Sequence, residues 1–510
     1  MGRRKTWVVL SLIIVVGMAA RCFGIVERSV WFDESFSWRI TRYPVGEMLE
    51  RVTRDVHPPL YYLVLKAWIG ICGSSMPSMR LLSVVLGGVS IVGTFFLARE
   101  AWQNQRGFCW MPLLCAALVA TSVFQIRYAW EVRMYAQGAA LWTCSSVFLL
   151  RALRAARPMS WWLLWALATA AFAYTHYYAF FSLAAQGLFV LGWVAAASCG
   201  RDRLRLAWNV AAAGALVVAL YAPWMAAFRS QRAEVQESFW TLPIDRWTMP
   251  FTIHQMLIGG PETDLVNRGF DKPAAIICTL VTIAVFGMLL VGGSTVERYF
   301  LVSAALPLIL PALISVLQNR SIVSNRYFTF AHIGLILCIA AVLSRIQRPK
   351  LRGSAAATLL VGNVLVAGWF MFDMELSRRP GVQAAAELLR MHLVDGERFV
   401  VGNSRIFFPL VYYTSDWAEP KLCSDPAHVE HFGGRQVLEP EDQIDPDEAW
   451  RNAAVDVWVV DTTGFGSINV PAPKEWEPVS VWVFPEAFWW QGEVVVKRYR
   501  KLARSSDEPS

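Results

Sequence analysis

Hydrophobic positions fall into two regimes along this chain. From Trp7 to Met374, long apolar runs alternate with short bursts of charge, whereas Glu375–Ser510 has the mixed pattern of a water-exposed domain. Runs approaching the roughly 20 residues that a bilayer core requires lie at about 7–26, 80–98, 107–126, 136–150, 159–175, 178–198, 206–227, 273–292, 300–317, 327–344 and 354–373. They predict eleven transmembrane helices. The stretch Leu60–Cys72 is shorter and carries Lys66, so it predicts a helix lying in or dipping into the outer interface. The domains follow: a membrane domain over 1–375, with outer loops at 27–79 and 229–272, and an extracytoplasmic domain over 376–510.

The pattern changes after the last span. Gly381–Val394 reads as an amphipathic helix, Arg398–Val401 as a buried strand and 404–414 as a second helix. Val455–Asp461 and Glu493–Tyr499 read as further strands. Strands alternating with helices predict a small α/β layer. It has no glycine-rich nucleotide fingerprint and no nucleophile elbow, and Asp461 reads as a turn acid or a ligand at a strand end. Its expected task is to recognise an acceptor or cover the membrane site.

Composition sharpens the membrane reading. Charged residues make up 17% of the chain and hydrophobic ones 55%, against about 25% charged in an ordinary soluble protein. The net charge of +8 does not indicate nucleic acid, because the basic residues sit at the ends of apolar runs. With eleven crossings, the clusters Arg3/Arg4/Lys5, Arg99/Arg106, Arg151/Arg154/Arg157, Arg201/Arg203/Arg205 and Arg345/Arg348/Lys350/Arg352 all fall on one side, the cytoplasm. The N-terminus is then cytoplasmic and the C-terminal domain extracytoplasmic; an even number of spans would place three arginine-rich loops outside. The first apolar run resembles a signal peptide but continues to about Val26 without a small-residue cleavage site, which predicts an uncleaved first span. Eight of the nine cysteines lie in or beside apolar runs, so disulfide and structural zinc frameworks are not expected.

The candidate chemistry gathers in the predicted outer loops. Adjacent carboxylates Asp33 and Glu34 stand among aromatic residues, followed by Asp55-Val56-His57-Pro58-Pro59-Leu60. Pro58 holds His57 in an extended conformation. Arginines suited to binding phosphate are Arg80, Arg127, Arg133 and Arg326, with Arg21 near the end of the first span and Glu131 placed to neutralise Arg127 and Arg133. His176, beside Tyr174, Tyr177 and Tyr178, reads as a sugar-subsite residue, a metal ligand or an interfacial belt residue. Asp33, Glu34, Asp55 and His57 offer hard oxygens and an imidazole to a divalent cation. The loop 229–272, with Trp240, Trp247, His254-Gln255 and Gly259-Gly260-Pro261, reads as a lid over a donor or as an amphipathic helix on the membrane.

Asp33-Glu34, the Asp55-x-His57-Pro58-Pro59-Leu60 element, Met79-Arg80 opening a Ser/Gly-rich span, Ile126-Arg127-Tyr128 and Arg133-Met134-Tyr135 together resemble the protein O-mannosyltransferases. They resemble equally the wider bacterial family that includes the aminoarabinose transferases of lipid A. The resemblance implies a GT-C type, α-helical multispanning enzyme of the plasma membrane. Such an enzyme takes a hexose from a polyprenyl-phosphate donor with inversion and passes it to a glycan, lipid or protein hydroxyl outside the cytoplasm. It implies Asp33 as general base and Glu34 as a substrate or cation ligand. Asp55, His57, Arg80, Arg127, Arg133, Tyr135, His176 and Arg326 would bind substrate. The competing readings are a transporter or flippase of lipid-linked sugars, for which internal repeats are not evident, and a non-catalytic sugar- or peptide-binding scaffold.

Overall fold

The computed structural model describes residues 2–102, 105, 107–197, 200–237, 240–241, 243–259, 271–373, 379–394, 397–423, 429, 431–451, 456–465, 470–487 and 491–502. Gly260 and Pro261, in the expected lid segment, lie outside the described residues. The chain divides into two compact units: one of Met1–Ile25, Val56–Pro261 and Leu265–Asp373, the other of Val26–Asp55, Glu262–Asp264 and Met374–Ser510.

The first unit is an α-helical bundle. Each expected span is helical: Arg3–Cys22, Met76–Trp102, Met111–Thr121 continued by Val123–Tyr128, Tyr135–Arg154, Met159–Ala173, Ala179–Ala196, Arg201–Tyr221, Asp271–Gly292, Thr295–Leu317, Thr329–Ser344 and Pro349–Asp373. Among the described residues, eight helices are long and apolar enough to cross a membrane, while Leu60–Cys72, Met111–Thr121 and Met159–Ala173 are shorter apolar helices. The third expected span is thus broken. Ser122 leaves the helical conformation, and its hydroxyl accepts from the Gln125 N–H at 3.4 Å to start the next short helix. The carbonyls freed at the break need donors. Arg21 supplies them, donating to Ala120 O at 2.8 Å and Val119 O at 3.0 Å, as well as to Gly17 O at 2.9 Å within its own helix.

That cap depends on small residues at neighbouring positions. A Cβ at Gly87 would lie 2.8 Å from Arg21 Nε, and one at Gly17 would lie 2.8 Å from the Ala120 Cβ. Glycine at both positions lets helix backbones approach closely, the usual route to tight packing in lipid. Arg21 therefore serves the bundle as a helix cap.

The second unit contains a five-stranded sheet ordered β2-β1-β3-β5-β4. Strands β1 (Arg398–Val401), β2 (Lys421–Leu422) and β3 (Val457–Thr462) run parallel. β4 (Trp476–Pro485) and β5 (Glu493–Lys501) complete the sheet, β5 pairing antiparallel with both β3 and β4. Val400, Val457, Val459, Trp450, Trp476 and Tyr499 form a core on one face. The α/β layer is as expected. β4 was not foreseen because Pro478 and Pro485 weaken its strand pattern, and it lies at the sheet edge, where proline is tolerated. Helices Phe32–Thr41 and Val45–Thr53 of the early segment belong to this same unit. They are tied in by Arg39–Asp442 at 2.9 Å, Arg51–Glu439 at 2.7 Å and the bond from Val30 N to the Tyr413 hydroxyl at 2.9 Å.

Candidate active site

In the helical unit, polar side chains converge where interhelical connectors meet. Pro59 caps the helix Leu60–Cys72, and the Leu60 N–H donates to Tyr174 O at 3.0 Å. This bond ties the His57-Pro58-Pro59 segment to the turn carrying His176. Within that turn the Tyr178 N–H donates to His176 Nδ1 at 3.1 Å. The His176 ring then lies 5.9 Å from His57, 4.8 Å from Tyr327, 5.6 Å from Tyr178 and 6.2 Å from Tyr135, between ring centres.

Arg133 joins these elements. Its guanidinium donates to the Tyr62 hydroxyl at 3.2 Å and reaches His57 Nδ1 at 3.4 Å. Arginine carries only donors, so Nδ1 of His57 accepts and its ring proton resides on Nε2. His57, Arg133, Tyr135 and His176 are all buried, at 7%, 5%, 2% and 5% exposure. Burial disfavours the imidazolium form of His176, and the nearby His57, Arg133 and Arg326 add repulsion, so its pKa lies well below the usual histidine value. The cluster sets a neutral His176 imidazole beside cationic guanidinium groups, an arrangement suited to an anionic oxygen rather than to proton uptake.

The other expected arginines have distinct settings. Arg326 packs its guanidinium 4.7 Å from the Trp240 ring centre and donates to the Ser324 hydroxyl at 3.3 Å. Arg80 is buried and donates to Ile25 O at 2.7 Å. Arg127 lies 5.3 Å from the Tyr128 ring centre, and Tyr128 in turn packs edge-on against Tyr135 at 5.5 Å. Glu131 is buried, with its carbonyl accepting from Ser83 at 2.7 Å.

The carboxylates belong to the second unit. Asp33 and Glu34 occupy the first turn of the helix Phe32–Thr41, where the helix dipole favours negative charge. Their settings differ sharply. Glu34 is fully buried and paired with Arg28 at 2.7 Å; Asp33 is half-buried. Asp55 is buried near the end of this segment. Among the described residues no group of three or more His, Cys, Asp and Glu side chains is arranged to hold a metal ion.

The sequence thus named four residues that the bundle brings together: His57, Arg133, Tyr135 and His176. It missed Tyr62 as the hydroxyl partner of Arg133, Tyr327 as the aromatic neighbour of His176, and Arg28 as the counter-ion of Glu34. Tyr327 had a signal, since it follows Arg326 directly. Arg28 had none, since a spacing of six matches no helical contact.

The helical bundle, with buried arginine and histidine on its connectors, and the small α/β unit make up the fold class expected from the sequence. Comparison with known proteins agrees. Residues 56–226 match the family described as dolichyl-phosphate-mannose-protein mannosyltransferase, so the resemblance read from the sequence holds over the segment containing His57, Arg80, Arg127, Arg133, Tyr135 and His176. ArnT from Cupriavidus metallidurans in the apo state is similar in structure with a TM-score of 0.60 at 12% identity, over 97% of this chain and 98% of that one. The same protein bound to undecaprenyl phosphate gives 0.58 at 13% identity over 100% of both chains. The oligosaccharyltransferase of Archaeoglobus fulgidus tethered to an acceptor peptide gives 0.51 at 12% identity, covering 90% of this chain and 69% of that one. No curated protein matches by sequence.

Proposed function

We propose that this protein is an inverting glycosyltransferase. It moves a hexose from a polyprenyl-phosphate donor to an acceptor hydroxyl on the non-cytoplasmic side of the plasma membrane. The observation that carries the reading is the buried Arg133–His57–Tyr62 constellation beside His176, inside the segment that matches the mannosyltransferase family. The shared fold of ArnT, which binds undecaprenyl phosphate in its structure, supports the same class of carrier here. The one-sided distribution of the basic clusters supports the orientation.

In the proposed reaction the acceptor oxygen attacks C1 of the sugar as the bond from C1 to the phosphate oxygen breaks. The bonding pair leaves with the polyprenyl phosphate. Asp33 takes the acceptor's proton, a role consistent with its half-buried carboxylate; Glu34 holds Arg28 and with it the start of the helix that presents Asp33. The departing phosphate is already a stable anion and needs fixed positive charge rather than an acid. Arg133 supplies a planar fork of donors for it, with Arg326 as a second cation and Tyr135 and the tyrosines around His176 lining the sugar. Asp55, Arg80 and Arg127 complete the set of substrate-side residues.

The test uses membranes containing the full chain, labelled polyprenyl-phosphate hexoses and cell-envelope acceptors. Wild type passes label to an acceptor, and Asp33→Asn lowers the rate about 10²–10⁴-fold. Equal transfer by both removes Asp33 from the mechanism. Donor crossing vesicle bilayers without any transfer replaces the enzyme with a transporter.

A further inference from the structure

His176 is 5% exposed, and its two ring nitrogens have different fates. Nδ1 accepts from the Tyr178 N–H at 3.1 Å. Since a backbone N–H can only donate, Nδ1 carries the lone pair, and in the neutral ring the proton resides on Nε2. Among the described residues Nε2 has no hydrogen-bond partner. A buried donor left unsatisfied is costly, and native structures retain such groups chiefly where something else completes them.

The surroundings say what that is. Among the described residues, the groups recorded against the ring are His57 before the helix Leu60–Cys72, Arg133 and Tyr135 at the start of Tyr135–Arg154, Tyr178 on its own turn, and Arg326 and Tyr327 before Thr329–Ser344. Tyr178 is itself engaged, its hydroxyl donating to Ile322 O at 2.6 Å. An N–H presented in a positive field calls for an anionic oxygen.

We propose that His176, in its Nε2–H form, donates a hydrogen bond to a phosphate oxygen of the lipid carrier, beside the guanidinium groups of Arg133 and Arg326. This assignment rests on the glycosyltransferase reading above and adds to it a neutral donor whose direction is set by the backbone. A neutral donor serves a phosphate here better than a third full charge. It directs the oxygen without strengthening the hold on the product phosphate that must leave. Tyr178 is the positioning residue, because its N–H selects the tautomer.

The experiment measures binding of undecaprenyl phosphate, and separately of phosphatidic acid, to the full-length protein in discs of zwitterionic lipid. It compares wild type, His176→Phe and His176→Gln, with thermal unfolding midpoints recorded for each. Phenylalanine keeps the aromatic packing and removes the donor; glutamine restores an N–H near the position of Nε2. We expect wild type to bind undecaprenyl phosphate, His176→Phe to bind about 10- to 100-fold more weakly at an unchanged midpoint, and His176→Gln to recover most of the loss. If wild type binds and His176→Phe binds equally well, the His176 assignment falls while the donor reading stands. If both variants lose affinity together with stability, the role is structural and the assignment falls. If phosphatidic acid competes as well as the polyprenyl carrier and shows the same dependence, the group reads ordinary headgroups, and the carrier assignment is overturned. If wild type binds no polyprenyl phosphate, the donor reading fails and this proposal with it.

Discussion

Two buried polar clusters in the helical unit differ in one respect. Around Tyr299 every partner is supplied by the bundle. Its hydroxyl donates to Ser146 at 2.6 Å; Gln186 Nε2 donates to Ser145 at 3.0 Å and to Tyr299 at 3.4 Å; and Trp165 donates to Gln186 Oε1 at 2.9 Å. Around His176 the rings of His57, Tyr135, Tyr178 and Tyr327 gather, yet among the described residues Nε2 has no hydrogen-bond partner. The first network joins side chains of neighbouring helices to one another and acts as glue between them. The second leaves a donor open at a buried position, where a ligand oxygen can complete it.

The comparison breaks most easily at Arg133. In the proposed reaction, replacing it with methionine removes a fixed donor pair from the departing phosphate, and kcat/KM for sugar transfer should fall roughly 10²–10³-fold, the scale for loss of one oxyanion donor. Arg133→Lys keeps the charge but not the fork and should recover only part of the rate. Wild-type turnover by Arg133→Met would make the connector cluster as structural as the Tyr299 network.

A smaller effect is expected at Tyr62, whose hydroxyl orients Arg133. Tyr62→Phe should lower kcat/KM about two- to tenfold, matching one neutral hydrogen bond. Steady-state kinetics on the same donor reads both changes. Smaller still, Tyr299→Phe should cost about 0.6–1.7 kcal/mol of stability with no change in turnover. A large loss of activity at full stability would show that the glue network reaches the chemistry.

The second unit offers the mildest test of the same principle. Glu486 is 4% exposed beside Gly381 and Ser29, and burial raises its pKa from 4.5 to about 8, partly opposed by a bond from the Ala487 backbone. The folded chain therefore keeps a proton that the unfolded chain releases. Stability from this group is full below about pH 4.5 and is lost as pH rises through about 8. Thermal unfolding of the full chain between pH 6 and 9 should show a falling midpoint, and Glu486→Gln should flatten that slope.

Much of this architecture was legible in advance. Each expected apolar run is a helix, and the strands Arg398–Val401 and Val457–Thr462 fall where their β-branched runs placed them. The break at Ser122 was not legible, because 107–126 reads as one apolar run and the donor that stabilises the break, Arg21, lies 99 residues from Ala120. Among site residues, the His57-Pro58-Pro59 element and Arg133 stood out through their spacing. Their mutual contact did not, nor did the burial of Glu34 against Arg28, since adjacent acids carry no label for which one a guanidinium will claim.

By itself the sequence determined which segments must be helices in lipid. A run of apolar residues with no water around it can satisfy its backbone only internally. It likewise determined which residue types were available for the proposed sugar-phosphate chemistry. Only the tertiary structure decided which of the similar groups were consumed by the fold. Arg21 and Arg133 are both buried guanidiniums, but one caps a broken helix and the other faces a phenol and an imidazole. That difference is set by the acceptors that long-range packing brings within 3 Å or so, and local sequence pattern carries no record of them.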